Sequence, residues 1–106
     1  MRSFIATAAS LAVLIATPLT FGSSALAADA ASNMLAGPCA NCHGTDGRSP
    51  GPIPSIAGIP FTVLKAQLDA FRNGLNPSAT VMTRLAKGFT EAEVETLARH
   101  FSEMKK

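Results

Sequence analysis

The only two cysteines of the chain stand together in Cys39-Ala40-Asn41-Cys42-His43. Two thiols about one helical turn apart, with an imidazole directly attached, leave few ways to build the structure around them. A disulfide across two residues closes almost no loop, so it adds little through chain entropy. A thioredoxin-like redox pair sits near a βαβ pattern, and no stretch here alternates as a strand would. Structural zinc needs four ligands. Cys39, Cys42 and His43 supply three, and the only other histidine, His100, falls in a separate helical stretch. The fourth chemistry is covalent c-type haem, whose attachment signature is C-x-x-C-H. Two vinyl groups lie along one edge of the porphyrin, so each thiol can form a thioether while the adjacent imidazole reaches the iron from one face. This reading, with haem c bound through Cys39 and Cys42, accounts for most of the sequence.

The first 27 residues carry the order of a secretory leader. Arg2 opens it, an apolar run spans Phe4–Ala16, Pro18 interrupts, and Ala25-Leu26-Ala27 offers small residues for cleavage. The alternative is a retained membrane anchor, for which the Ala- and Thr-rich run is short. The expected organisation is a signal peptide at 1–27, cleaved near Ala27, and one domain at 28–106. No membrane span is expected after cleavage. A leader of this kind points to the periplasm.

Taking 27 residues from 106 leaves 79, and only Arg2 is lost among the charges. The remaining domain holds seven acids and eight Lys/Arg, a formal charge of about +1. That gives no case for a nucleic-acid binder, where a strongly basic patch would be expected. A domain of this size buries only a modest core, and small domains usually need a staple, a metal or a cofactor. With no Trp and no Tyr in the chain, a haem would supply the missing flat apolar mass.

The periodicity predicts an all-α fold. A short helix is expected at Ala30–Ala36, with Asp29 at its N-terminus and Gly37-Pro38 leading into the cysteine motif. Gly44–Pro60, rich in Gly and Pro, reads as a long functional loop. Phe61–Asn73 reads as a helix with apolar Phe61, Leu64, Leu68 and Phe71, Pro60 suiting its first turn and Gly74 its cap. Leu75–Met82 is irregular, and a short helical piece follows from Met82 to Lys87. Thr90 and Glu93 form a T-x-x-E capping box for the last helix. Its apolar stripe is Val94, Leu97, Ala98, Phe101 and Met104.

Thioether sulfur is a common partner of histidine on haem iron, and it raises the potential. Beyond the leader the candidates are Met34, Met82 and Met104. Met34 lies just before Cys39, on the attachment side. Met104 belongs to an apolar stripe. Met82 sits in an irregular stretch with room to wrap to the far face, so His43 and Met82 are the expected iron ligands. His100 would give a bis-histidine iron of lower potential. The N–H of His43 needs an acceptor to fix the ring, and a carbonyl in the proline-rich loop is the natural choice, Pro54 ahead of Pro52. Gly44, Gly47, Gly51 and Gly58 would let that loop approach the ring closely, with an ordinary turn at any one of them as the equal alternative. Arg48 and Arg84 are candidates for haem propionates, with ordinary solvated surface as the competing explanation.

"CANCHGTDG", "PSIAG", "TVM" and the final amphipathic helix resemble class I c-type cytochromes. Within them, "NCHGTDGRSPGP", "FRNG" and "TVMTRLAKGFTEAEVETLARHF" are similar to the first haem domain of the cytochrome subunit of flavocytochrome c sulfide dehydrogenase. The resemblance implies that Cys39, Cys42 and His43 bind haem, that the Pro54 carbonyl accepts from His43, and that Met82 completes the iron. It further implies electron transfer, not catalysis, with a flavoprotein subunit oxidising sulfide and passing electrons on. The better-known form of that subunit has two haem domains, whereas this sequence has one C-x-x-C-H. Two other readings stay open. One is a freely diffusing mono-haem carrier serving an oxidase, another dehydrogenase or other redox proteins. The other is a five-coordinate haem for gas binding or peroxidase chemistry.

Overall fold

The structure is a computed structural model and describes residues 23–106. The apolar run of the expected leader lies outside them. Among the described residues there are four α-helices and no strand. These are α1 (Ser23–His43), α2 (Phe61–Arg72), α3 (Met82–Ala86) and α4 (Glu91–Glu103), with a 3-10 turn at Thr45–Gly47. No helix among them is long and apolar enough to cross a membrane.

The first helix is far longer than the expected Ala30–Ala36. It begins at Ser23, takes in Ala25–Ala27, passes through Gly37-Pro38 and ends at His43. Asp29 therefore sits inside the helix, where its carbonyl accepts from the Ser32 hydroxyl at 3.0 Å. The alanines at 25, 27, 28, 30 and 31 favour the helix strongly. Pro38 withholds one N–H and disfavours the turn before it, but packing outweighs that cost. Ala36 is buried against α4, and Leu35 and Cys39 pack on the same cluster.

The second helix follows its local signals closely. Pro60 is its N-cap, one position earlier than the first turn. At the other end the Leu75 N–H donates to the Ala70 carbonyl (2.8 Å) and the Gly74 N–H to Phe71 (3.1 Å), the paired bonds of a Schellman motif. The last helix carries both arms of its capping box. The Glu93 N–H donates to Thr90 Oγ1 at 3.2 Å, and the Thr90 N–H to Glu93 Oε2 at 2.8 Å. Met104 is the C-cap with an extended backbone, not the last residue of the helical stripe.

Helix α4 is the centre of the packing. It meets α1 on one side and α2 on another, and α2 carries α3. Val94, Leu97, Ala98 and Phe101 are its buried stripe, joined by Leu64 of α2 and Ala36 of α1. The Arg99 guanidinium stands 4.7 Å from the Phe61 ring centroid, covering the edge of the α2–α4 seam. Leu97 is 2% exposed and has little freedom to collapse on truncation. Leu97→Ala should cost about 2–5 kcal/mol of stability, read as a fall in the guanidinium midpoint. Val63→Ala, on the exposed side of α2, should cost less than about 1 kcal/mol.

Candidate functional site

The last turn and a half of α1 presents Cys39, Cys42 and His43. Helical spacing puts the two sulfurs on adjoining turns and leaves His43 as the terminal residue. Both cysteines are free thiols, Cys39 half-buried and Cys42 exposed. Burial pushes the Cys39 thiol up, against a smaller opposing effect of a backbone hydrogen bond. A raised thiol is the reverse of what an activated redox pair requires. No group of three or more His, Cys, Asp or Glu side chains is gathered as a metal site among the described residues.

The His43 ring is almost enclosed, at 9% exposure. Its Nδ1 lies 2.6 Å from the Pro54 carbonyl oxygen. A carbonyl only accepts, so Nδ1 carries the proton and donates. The lone pair of the neutral ring is then on Nε2, ready for a metal. The long loop thus contributes its Pro54 carbonyl and not that of Pro52.

Two backbone features aim the loop. The chain leaves α1 through Gly44, whose N–H returns to the Ala40 carbonyl at 3.0 Å. It then turns at Gly47, whose carbonyl accepts from the N–H groups of Ile56 (2.8 Å) and Ala57 (3.2 Å). Gly47 has φ +77°, and a Cβ there would lie 2.8 Å from both Ile56 Cγ1 and Phe101 Cδ1. The close approach at this glycine is to the protein's own core. Sequence reasoning passed over Ser49, Ser55 and the Gly47 carbonyl. The only signal was a serine at each end of a proline-rich run.

Met82 is the first residue of α3 and is half-buried. It stands at the far end of a packed train in which α1 meets α4, α4 meets α2, and α2 meets α3. The other methionines are placed differently. Met34 is 82% exposed on α1, and Met104 packs on the core cluster. His100 lies edge-on to Phe101, centroids 5.0 Å apart. It lines a groove with Ala28, Asp29, Ser32 and Asn33, in the first half of α1. Ten residues of helix, about 15 Å, separate Asn33 from His43. Arg48 is tied to Asp46 Oδ2 (2.8 Å) and the Lys105 carbonyl (2.9 Å), while Arg84 is exposed and makes no ion pair among the described residues.

The donor set fits a c-type haem: two cysteine sulfurs one helical turn apart, an imidazole whose Nδ1 is held by the Pro54 carbonyl so that Nε2 is the nitrogen left for a metal, and a thioether. Exposed apolar side chains flank the segments that bear it, Ile53 beside Pro54, and Val81 and Leu85 around Met82.

The family model for cytochrome c matches residues 27–105. The cytochrome subunit of sulfide dehydrogenase from Chlorobaculum tepidum is 46% identical over 68 residues, 64% of this chain and 61% of that one. Cytochrome c-552 of Acidithiobacillus ferridurans is 36% identical over 66 residues, 62% of this chain and 28% of that one. Cytochrome c-554(548) of Halomonas halodenitrificans is 35% identical over 69 residues, 62% of this chain and 83% of that one. The chain thus spans less than two thirds of the length of the first two relatives. Matched over most of its length, with only helices as regular structure among the described residues, the chain belongs to the cytochrome c family, as a class I member that carries covalent haem c and transfers electrons.

Proposed function

We propose that the protein is a periplasmic mono-haem electron carrier that accepts electrons from the flavoprotein subunit of a sulfide dehydrogenase. The observation that carries the partner is the 46% identity to a cytochrome subunit of sulfide dehydrogenase. In this reading residues 1–27 are a cleaved leader and 28–106 the working domain. Cys39 and Cys42 hold the haem by thioethers, and His43 Nε2 and Met82 Sδ are the iron ligands. The bound haem supplies a one-electron ferric/ferrous couple. The protein's own work is positional. Pro54 holds the imidazole in one tautomer and orientation. Met82 would be the second protein ligand to the iron and would so keep small molecules from binding there. Sulfide oxidation then belongs to the flavoprotein.

Protein purified gently from its native host through a C-terminal tag tests this directly. Flavin absorption co-purifying with haem c bands, and haem reduction on adding sulfide, are the expected results. Haem c bands alone, with no reduction by sulfide, would instead support a freely diffusing carrier. That second reading draws on the Halomonas cytochrome, of which the match covers 83%. The near-neutral domain provides little long-range steering. Affinity for the flavoprotein should therefore change less than about threefold between about 0.05 and 0.5 M salt. A steep fall would assign the contact to charge.

A further inference from the structure

The Pro54 carbonyl is held on His43 by a loop that has few means of holding itself. Between Ser49 and Ser55, residues 50, 52 and 54 are proline and offer no N–H. One hydrogen bond joins the two ends of this segment. The Ser49 N–H donates to Ser55 Oγ at 2.9 Å. The Ser49 hydroxyl stays within its own end of the loop, at 3.3 Å from the Gly51 nitrogen and 3.5 Å from the Gly51 carbonyl. Immediately after Ser55, Ile56 and Ala57 are fixed to the Gly47 carbonyl.

Ser55 has a particular relation to the acceptor. The Pro54 carbonyl and the Ser55 nitrogen belong to one planar peptide unit, so whatever fixes Ser55 fixes the direction of that carbonyl. Downstream the unit is anchored through Ile56 and Ala57. Across the loop it is anchored only through the Ser55 hydroxyl. We propose that Ser55 is a positioning residue for His43: its hydroxyl, accepting from the Ser49 N–H, locks the Pro54–Ser55 peptide plane so that the carbonyl stays on Nδ1. The proposal rests on His43 being the iron ligand. A firmly bonded N–H makes an imidazole a more basic ligand, and a more basic ligand favours ferric iron. Releasing the plane therefore weakens the donation and moves the potential in the positive direction.

The test uses the haem-loaded, full-length protein and three variants. Ser55→Ala should speed solvent exchange of the His43 Nδ1 proton by about threefold to tenfold, the factor expected for one lost hydrogen bond, and shift the potential positive. Ser55→Thr keeps the hydroxyl and should restore both. Ser49→Ala keeps the Ser49 N–H and should behave as wild type. Ser55→Ala with wild-type exchange and potential, even at lowered thermal stability, overturns the proposal. So does Ser49→Ala moving both as far, or Ser55→Thr behaving like the alanine variant. The ligand reading is checked separately in the ferrous wild-type protein. There the His43 ring protons should be displaced far from ordinary imidazole positions by the haem ring current. Undisplaced protons would reject His43 as ligand whatever the serines do.

Discussion

Met82→Ala is expected to lower the reduction potential and abolish the far-red sulfur-to-iron charge-transfer absorption of the ferric protein. Thioether sulfur is a soft ligand that favours ferrous iron. Its loss should cost on the order of 0.2 V, a fraction of the roughly 0.8 V that axial ligands span. The fold should survive the change. Met82 is only half-buried, while Ala86 on the same short helix is fully enclosed and keeps α3 seated on α2. Met34→Ala, at an 82% exposed position, is the matched control and should leave both readouts in place. A Met82→Ala protein with unchanged spectrum and potential would make Met82 a packing residue and support a five-coordinate iron.

Gly44→Ala should have the largest effect on folding. Gly44 has φ +81° and ψ 170°, a region open essentially to glycine alone and costing any other residue about 1–3 kcal/mol. A Cβ there would also overlap the Arg48 carbonyl and lie 2.7 Å from the Arg48 carbonyl carbon. These are backbone atoms, so no side chain can swing aside. The Arg48 N–H is itself bonded to the Thr45 carbonyl at 3.0 Å, which ties the obstacle to the turn. Strain and overlap together should remove at least about 3 kcal/mol, measured by guanidinium unfolding of the haem-loaded protein. Gly51→Ala is the contrast. A Cβ there meets nothing within 4 Å, and its cost should stay within about 0.5 kcal/mol. Equal midpoints for the two variants would remove the steric account.

Helices α2 and α4 were legible in the sequence because their boundaries are local. Pro60, Gly74 and the Thr90–Glu93 pair act within one turn of where they stand, and the apolar spacing between them is regular. The extent of α1 was not legible, because Gly37-Pro38 is local punctuation that a distant element overrides. The burial of Ala36 against α4 involves residues some sixty positions downstream. The cysteine–histidine motif could be read as haem attachment from spacing alone. The clip from the Ser49 N–H to Ser55 could not, since a backbone donor bears no residue signature. The glycines show the same limit. A turn or a close approach at them was visible, but that Gly47 makes room for Ile56 and Phe101 depended on the fold.

The pairing of α1 with α4 sets an order of assembly. Helices α2 and α3 are separated by a short stretch and can meet with little loss of chain freedom. Joining α1 to α4 closes a loop of roughly fifty residues, an entropic cost of loop closure that grows with loop length. During synthesis α1 emerges first and must wait for its partner, with Ala36 and Leu35 uncovered in the meantime. The segment bearing both thiols is therefore among the last to be immobilised, and the slow step of folding should be the docking of the earliest helix onto the latest. Changes in the α2–α3 seam, already formed when that docking occurs, would then act chiefly on the rate of folding, while changes at Ala36 would divide between folding and unfolding according to how far its contact is made at the barrier.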